Sequence, residues 1–512
     1  MSKILKKRDV AKVGLGTCLI LPWLNPYTAG PTPNVWPWLV SAACALVLWV
    51  FRHRLDARLI AAAWVLAAGL SAVIGLVQYF DFASALSPWV SLTEAGEAFA
   101  NLRQRNQFAT LTSIGLVALL AWLAMREKSE SAQEVWSVPG WARALAALLA
   151  MGNAASGSRT GLLQWGLIVL LSAWWFLPQQ RRLLVLALQA LLAYAIAVFT
   201  LPWLLELMTQ TRSGGLFGRL VTSAGCSSRK VLWSNVLTLI GQKPWLGWGW
   251  GELDYAHFIT LYPGERFCEI LDNAHNLPLH LAVELGIPAA LIICSALAWL
   301  VWYFKPWRDT DPVRQMAWGV LAVIGVHSLL EYPLWYGPFQ IAAGLGVALL
   351  WVKPGRGRLF TDSAGQKKFR LVRAAGGYLQ LLAPIVAAGV LAGVAMSYHQ
   401  VSQIYLLPAE RSAAYRDDTL NKIRDNRLFR PQARFAELSM TGLTSEHAAH
   451  VYVMADEMLH YSPEPRVIEK LIESAVMLGR DEEALAYLIR YRAAFPADHA
   501  RWASENAFTA AP

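Results

Sequence analysis

Long apolar runs recur along the chain, and short basic clusters separate them. "LIAAAWVLAAGLSAVIGLVQYF" (59–80), "LLVLALQALLAYAIAVFTL" (183–201) and "PAALIICSALAWLVWYF" (288–304) are each long enough to cross a hydrocarbon layer about 30 Å thick. Only a helix satisfies its own backbone there, so the pattern predicts helices. Spans are expected near 12–24, 36–51, 58–80, 107–125, 141–154, 160–177, 182–202, 279–304, 315–330, 336–352 and 373–397. Two polar stretches interrupt the series, near 80–106 and 203–278. After residue 398 the pattern becomes charged and amphipathic, and "PEPRVIEKLIESAVMLGRDEEALAYLIRYRAAFPADHARW" (463–502) reads as two helices of a tetratricopeptide-like hairpin. The expected fold is therefore an all-α polytopic membrane protein of about 11 transmembrane helices. It divides into a membrane domain, 1–397, with a large loop at 203–278, and a helical TPR-like domain, 398–512.

Composition agrees with this pattern. Of 512 residues 56% are hydrophobic and only 16% charged, and there are 24 tryptophans. A net charge of +10 would suggest nucleic acid in a soluble protein. Here the basic clusters "KILKKRDVAK", "FRHRLDAR", "MREK", "QQRRL", "FKPWR" and "KPGRGR" all fall between spans on one side, which marks that side as cytoplasmic. Nucleic acid is not an expected partner; the bilayer is. The N-terminus is then inside and the C-terminus outside, and the first helix reads as retained rather than as a cleaved signal.

Of the five cysteines, Cys18, Cys44 and Cys294 lie in spans. Cys226 and Cys268 share the exported loop, where an oxidising compartment permits a disulfide. Two free thiols are the alternative.

The residues able to do chemistry gather on the outer side. His275 stands between two asparagines, Asn273 and Asn276, in "DNAHNLPLHLAVELGIP" (272–288), with a helix expected to start near Leu277 and Pro278. Imidazole titrates near neutral pH and suits a general base; Asn276 and His275 could equally serve as a polar cap. Arg159 lies in the very short outer turn "GSRTGLL" (157–163), where a charge beside hydrocarbon is expensive unless paired or offered to an anion. Arg229 opens "SSRKVLWSNVLTLIGQKPWLGWGWG" (227–251), expected to lie along the membrane interface. Guanidinium binds phosphate oxygens in bidentate fashion, although any single arginine here could be a snorkelling residue. His327 and Glu331 are four apart near the outer end of a span, so they are expected to share a helix face, as a functional pair or a structural one. "GWGWG" (247–251) reads as a tight turn, and "RDTDP" (308–312) as a solvated cytoplasmic turn rather than a metal site. No zinc spacing, Walker or nucleophile-elbow motif occurs.

Taken in order, "QRNQFAT", "GSRTGLL", "SSRKVLW", "DNAHNLPLHLAVELGIP" and "HSLLEYPLWY" resemble the O-antigen ligase and polymerase superfamily of Gram-negative inner membranes, most closely its pilin-type, or general, protein O-oligosaccharyltransferases. The resemblance covers roughly residues 90–350. It implies transfer of a preassembled glycan from undecaprenyl diphosphate to a Ser or Thr hydroxyl of a periplasmic protein such as a pilin, by inversion and without metal or cofactor. It places the family's catalytic histidine on His275 and its diphosphate-binding arginines on Arg159 and either Arg229 or Arg219. It makes Arg105, Asn106, Asn276, His327 and Glu331 candidate donor or acceptor contacts. An O-antigen ligase acting on lipid A-core is the rival enzyme; a lipid or polysaccharide transporter is the non-enzymatic rival, and the outward clustering of polar residues argues against it.

Overall fold

The computed structural model describes residues 2–127, 138–177, 180–211, 225–351 and 370–509. Within them the chain is helical and contains no strand. In chain order the principal helices are α1 (Ser2–Leu24), α2 (Val35–Val50), α3 (Ala57–Tyr79), α4 (Arg105–Glu127), α5 (Gly140–Ser156), α6 (Arg159–Phe176), α7 (Arg181–Thr209), α8 (Arg229–Gln242), α9 (Leu253–Ile259), α10 (Leu277–Leu285), α11 (Ile287–Phe304), α12 (Pro312–Ser328), α13 (Gly337–Leu350) and α14 (Arg370–Ser402). The tail adds α15 (Arg430–Met440), α16 (Ala448–Leu459), α17 (Pro465–Met477), α18 (Asp481–Ala494) and α19 (Pro496–Thr509). Among the described residues five helical segments are long and apolar enough to cross a membrane: Ala57–Tyr79, Arg105–Arg126, Arg181–Thr209, Ile287–Arg308 and Leu382–Tyr405.

Two compact units emerge, the first from 1–28, 33–222 and 300–393, the second from 29–32, 223–299 and 394–512. In the first, α4 is the central post: 94% of its apolar window is buried. Small residues let its neighbours approach closely. A Cβ at Gly115 would meet Ala68 Cβ on α3 at 2.3 Å. The buried hydroxyls of α4 bond back along the helix, Thr112 and Ser113 both donating to Ala109 O. The segment before α4 is fastened to α3 by Gln78, which donates to Ser91 O and Ala100 O and accepts from Phe99 N–H.

The acidic turn at 308–312 is structural rather than solvated. Asp309 receives Arg314 Nε at 2.8 Å and Trp318 Nε1 at 3.3 Å, and Asp311 caps α12 by accepting from Val313 N–H.

In the second unit one core lies under α8 to α11, built on Leu232, Val236, Leu253 and Val283. α8 packs its Val231, Leu232, Val236 and Leu239 into this core. A second core packs α16 to α18, with Val467, Ile468, Leu471, Ile472 and Ala475 recurring at helical spacing. The expected continuous helix over 279–304 is broken at Gly286, where α10 ends and α11 begins. Gly286 has φ +87, and a Cβ there would strike Trp245 O at 2.2 Å. The break admits residues 244–251: Ile287 N–H donates to Pro244 O at 2.8 Å and Trp248 N–H to Val283 O at 2.8 Å.

Cys226 and Cys268 form a disulfide across a sequence separation of 42. Closing a loop of that length in the unfolded chain stabilises the native state by about 4 kcal/mol. Cys226→Ser with Cys268→Ser is therefore expected to lower the thermal midpoint of the purified protein clearly, as reduction of the wild type should. An unchanged midpoint in both cases would contradict this.

Candidate functional site

Three candidate residues stand at helix beginnings, and in each case the local sequence explains why. In the first unit, Gly157 closes α5 in the left-handed conformation (φ +57), and the Ser158 side chain caps α6 by accepting from Gly161 N–H at 3.1 Å. Arg159 is thereby the first helical residue, and it is exposed. Gly161 admits no side chain: a Cβ would lie 2.4 Å from Asn153 Oδ1 and 2.9 Å from Ala109 Cβ. The short turn thus follows from close contact with α4 and α5. A cation at the positively polarised end of a helix is poorly placed electrostatically, and an anion between them relieves both.

The same turn is tied to distant residues. Ser158 Oγ donates to Asn106 Oδ1 at 2.6 Å, and Asn106 Nδ2 donates to Glu331 Oε1 at 3.2 Å. One turn further along α4, Thr110 is hydrogen-bonded to His327 Nδ1 at 2.9 Å and receives Gln164 Nε2 at 2.8 Å. Glu331 and His327 are buried. They do not share a helix as expected: α12 ends at Ser328, and Glu331 lies in the bend beyond, its N–H donating to His327 O at 2.8 Å. Arg105 is half-buried and pairs with Glu97. Asn106, His327 and Glu331 therefore form one polar layer with the turn that carries Arg159.

In the second unit Arg229 repeats the arrangement. Ser228 caps α8 by accepting from Val231 N–H, and half-buried Arg229 is the first helical residue. The disulfide at Cys226 fixes the approach to this helix. Further along α8, Trp233 Nε1 donates to Ala274 O at 3.1 Å, so the arginine-bearing helix holds the backbone next to His275. Asn235 does the same for the returning loop, donating to Glu265 O and accepting from Phe267 N–H.

His275 is half-buried at φ +50, a left-handed conformation uncommon for a residue with a side chain. Its N–H donates to Asn273 Oδ1 at 2.8 Å, and the next residue, Asn276, caps α10 by accepting from Leu279 N–H at 3.1 Å. Two asparagines thus clamp the backbone on either side of the imidazole. Backbone strain of this sort persists only where its surroundings enforce it. Arg219 lies outside the described residues.

Other side chains around this loop gave no signal in the sequence. His280, one turn into α10, is buried, and burial followed by the influence of His275 pushes it down to about 4. Its Nε2 lies 3.6 Å from Glu284 Oε2, and Glu284 Oε1 accepts Gly251 N–H at 3.1 Å. Burial raises Glu284 to about 7, and Asp254, also raised by burial, to about 7. His257 is pushed down to about 3 by burial and then by Arg266, and it is a structural residue hydrogen-bonded to Tyr262 and Phe267.

These carboxyls give a pH prediction. Both hold a proton more tightly in the folded than in the unfolded chain, so their contribution is complete below about pH 4 and is lost as pH rises through about 7. His257 and His280, held down by burial, act with the opposite sign below about pH 6.5, so the test is a difference: over that window Glu284→Gln should lose stability with rising pH less steeply than the wild type. A wild-type slope retained in Glu284→Gln would contradict the assignment to Glu284.

A family model described as O-antigen ligase matches residues 144–294, one described as protein glycosylation ligase matches 98–124, and one for the C-terminal part of a virulence-factor membrane-bound polymerase matches 315–508. The first two take in the turns of Arg105, Arg159, Arg229 and His275. The chain is 27% identical over 289 residues to a general O-oligosaccharyltransferase of Acinetobacter baylyi, covering 55% of this chain and 48% of the relative. It is 28% identical over 255 residues to a ComP-specific O-oligosaccharyltransferase of the same organism, covering 49% and 43%. The chain thus spans about half the length of the curated relatives it matches.

Proposed function

We propose that the chain, which resembles the O-antigen ligase and polymerase superfamily, is a protein O-oligosaccharyltransferase. It moves a preassembled glycan en bloc from undecaprenyl diphosphate to Ser or Thr hydroxyls of a periplasmic protein such as a pilin. The single observation that carries this reading is the clamped backbone at His275, which presents an imidazole at the start of α10. In the proposed topology about eleven spans cross the inner membrane. The large loop and a TPR-like C-terminal domain lie in the periplasm.

The acceptor hydroxyl oxygen attacks the anomeric carbon from the face opposite the diphosphate. As the new C–O bond forms, the sugar–phosphate bond breaks and its electron pair stays with the leaving undecaprenyl diphosphate. His275 takes the hydroxyl proton. Arg159 and Arg229 bind the diphosphate and stabilise the negative charge that grows on it, so no metal is required. Asn106 and Glu331 hold the turn of Arg159 through Ser158, and Asn276 fixes the helix start beside the base.

The test is co-expression with a defined lipid-linked glycan pathway and candidate acceptor proteins, read by intact mass. An acceptor heavier by one whole glycan is expected. Glycan found only on lipid A-core would replace this reading with the ligase one.

A further inference from the structure

We propose that the turn 243–251 is a membrane-interface anchor whose occupant is the phospholipid bilayer. The inference rests on α11 crossing the membrane and stands apart from the transfer reaction. Trp245, Leu246 and Trp250 are 75%, 86% and 67% exposed, an apolar cluster that costs solvation free energy in water. The turn cannot be set at any arbitrary depth, because its backbone is bonded to the first residue of a span. Ile287 N–H donates to Pro244 O at 2.8 Å, Gly249 N–H donates to Glu284 O at 3.1 Å, and the Gly286 backbone lies against Trp245 O.

The span itself faces outward. Only 6% of its apolar window is buried, and Leu291 and Ile292 are 60% and 70% exposed, as lipid-facing residues would be. A cluster joined to residue 287 therefore lies where that span enters the headgroup layer. Tryptophan is suited to that depth, with an apolar ring and one polar N–H. Lys243 adds an ammonium, its Nζ 4.0 Å from the Trp248 ring centre, at the level of lipid phosphates. The same turn holds Glu284 through Gly251 N–H, so the anchor fixes the end of α10 opposite to His275. That helix has nine residues, which sets the two ends about 13 Å apart along its axis.

A nitroxide placed at Leu246→Cys, with Cys18, Cys44 and Cys294 replaced and the disulfide retained, tests this in the full chain in phosphatidylcholine–phosphatidylglycerol vesicles. Labels at Ile292→Cys and Glu269→Cys serve as lipid and water references, and Trp250→Cys repeats the measurement independently. Power saturation is expected to show greater collision with oxygen than with a water-soluble nickel chelate at 246 and 250, as at 292 and opposite to 269. Dominant nickel accessibility at both positions would overturn the proposal. So would spin–spin broadening between copies, which would assign the cluster to a chain–chain contact.

Discussion

Replacing His275 by alanine is expected to lower glycan transfer by about 10²–10⁴-fold, the range in which a positioned general base contributes. The protein should remain folded, because the clamp acts on the backbone: Asn273 receives the N–H of residue 275 and Asn276 caps α10, and neither contact uses the imidazole. Alanine keeps both backbone bonds and removes the proton acceptor. Purified wild type and variant are compared at saturating donor and acceptor, so that a fall in kcat is separated from weaker binding. A wild-type rate in a folded His275→Ala protein would remove the proposed base.

Arg159→Ala is the second large effect, expected at about 10²–10³-fold in kcat, similar to the loss of one preorganised donor to developing negative charge. Arg159→Lys should recover only a small part of that loss. An ammonium restores the charge but not the two parallel N–H groups that grip a phosphate. The side chain is exposed and its turn is fixed by Ser158 and Gly161, so the fold should tolerate both changes. Full recovery with lysine would mean that charge alone matters. No loss with alanine would leave Arg159 without a role in the reaction.

The long apolar runs were legible in the sequence because lipid leaves a buried backbone few alternatives to a helix. The start of α10 was legible as well, since Asn276, Leu277 and Pro278 form a local capping signal. The break at Gly286 was missed although "ELGIP" carries its local signal: Gly286 takes φ +87, Pro288 has no N–H for Glu284 O, and the backbone of Trp245 fills the gap. The structural role of Asp309 escaped because its partners Arg314 and Trp318 come together only when α12 forms.

The candidate site divides in the same way. Residue type and local setting singled out His275, Arg159 and Arg229: an imidazole just before an expected helix start, a charge in a very short outer turn and a guanidinium opening an amphipathic stretch. The polar layer linking Ser158 to Asn106 and Asn106 to Glu331 spans 52 and then 225 residues of sequence, and no periodicity announces it. His280, Glu284 and Asp254 were hidden for another reason. Their unusual protonation arises from burial, and burial is a property of packing rather than of spacing.

The most direct measurement is an experimental structure of the full chain with a polyprenyl diphosphate bound in a lipid nanodisc. The account predicts guanidinium groups of Arg159 and Arg229 on the diphosphate oxygens and the His275 imidazole facing the point where an acceptor hydroxyl would enter. A diphosphate held by other residues, with these three side chains away from it, would contradict the assignment.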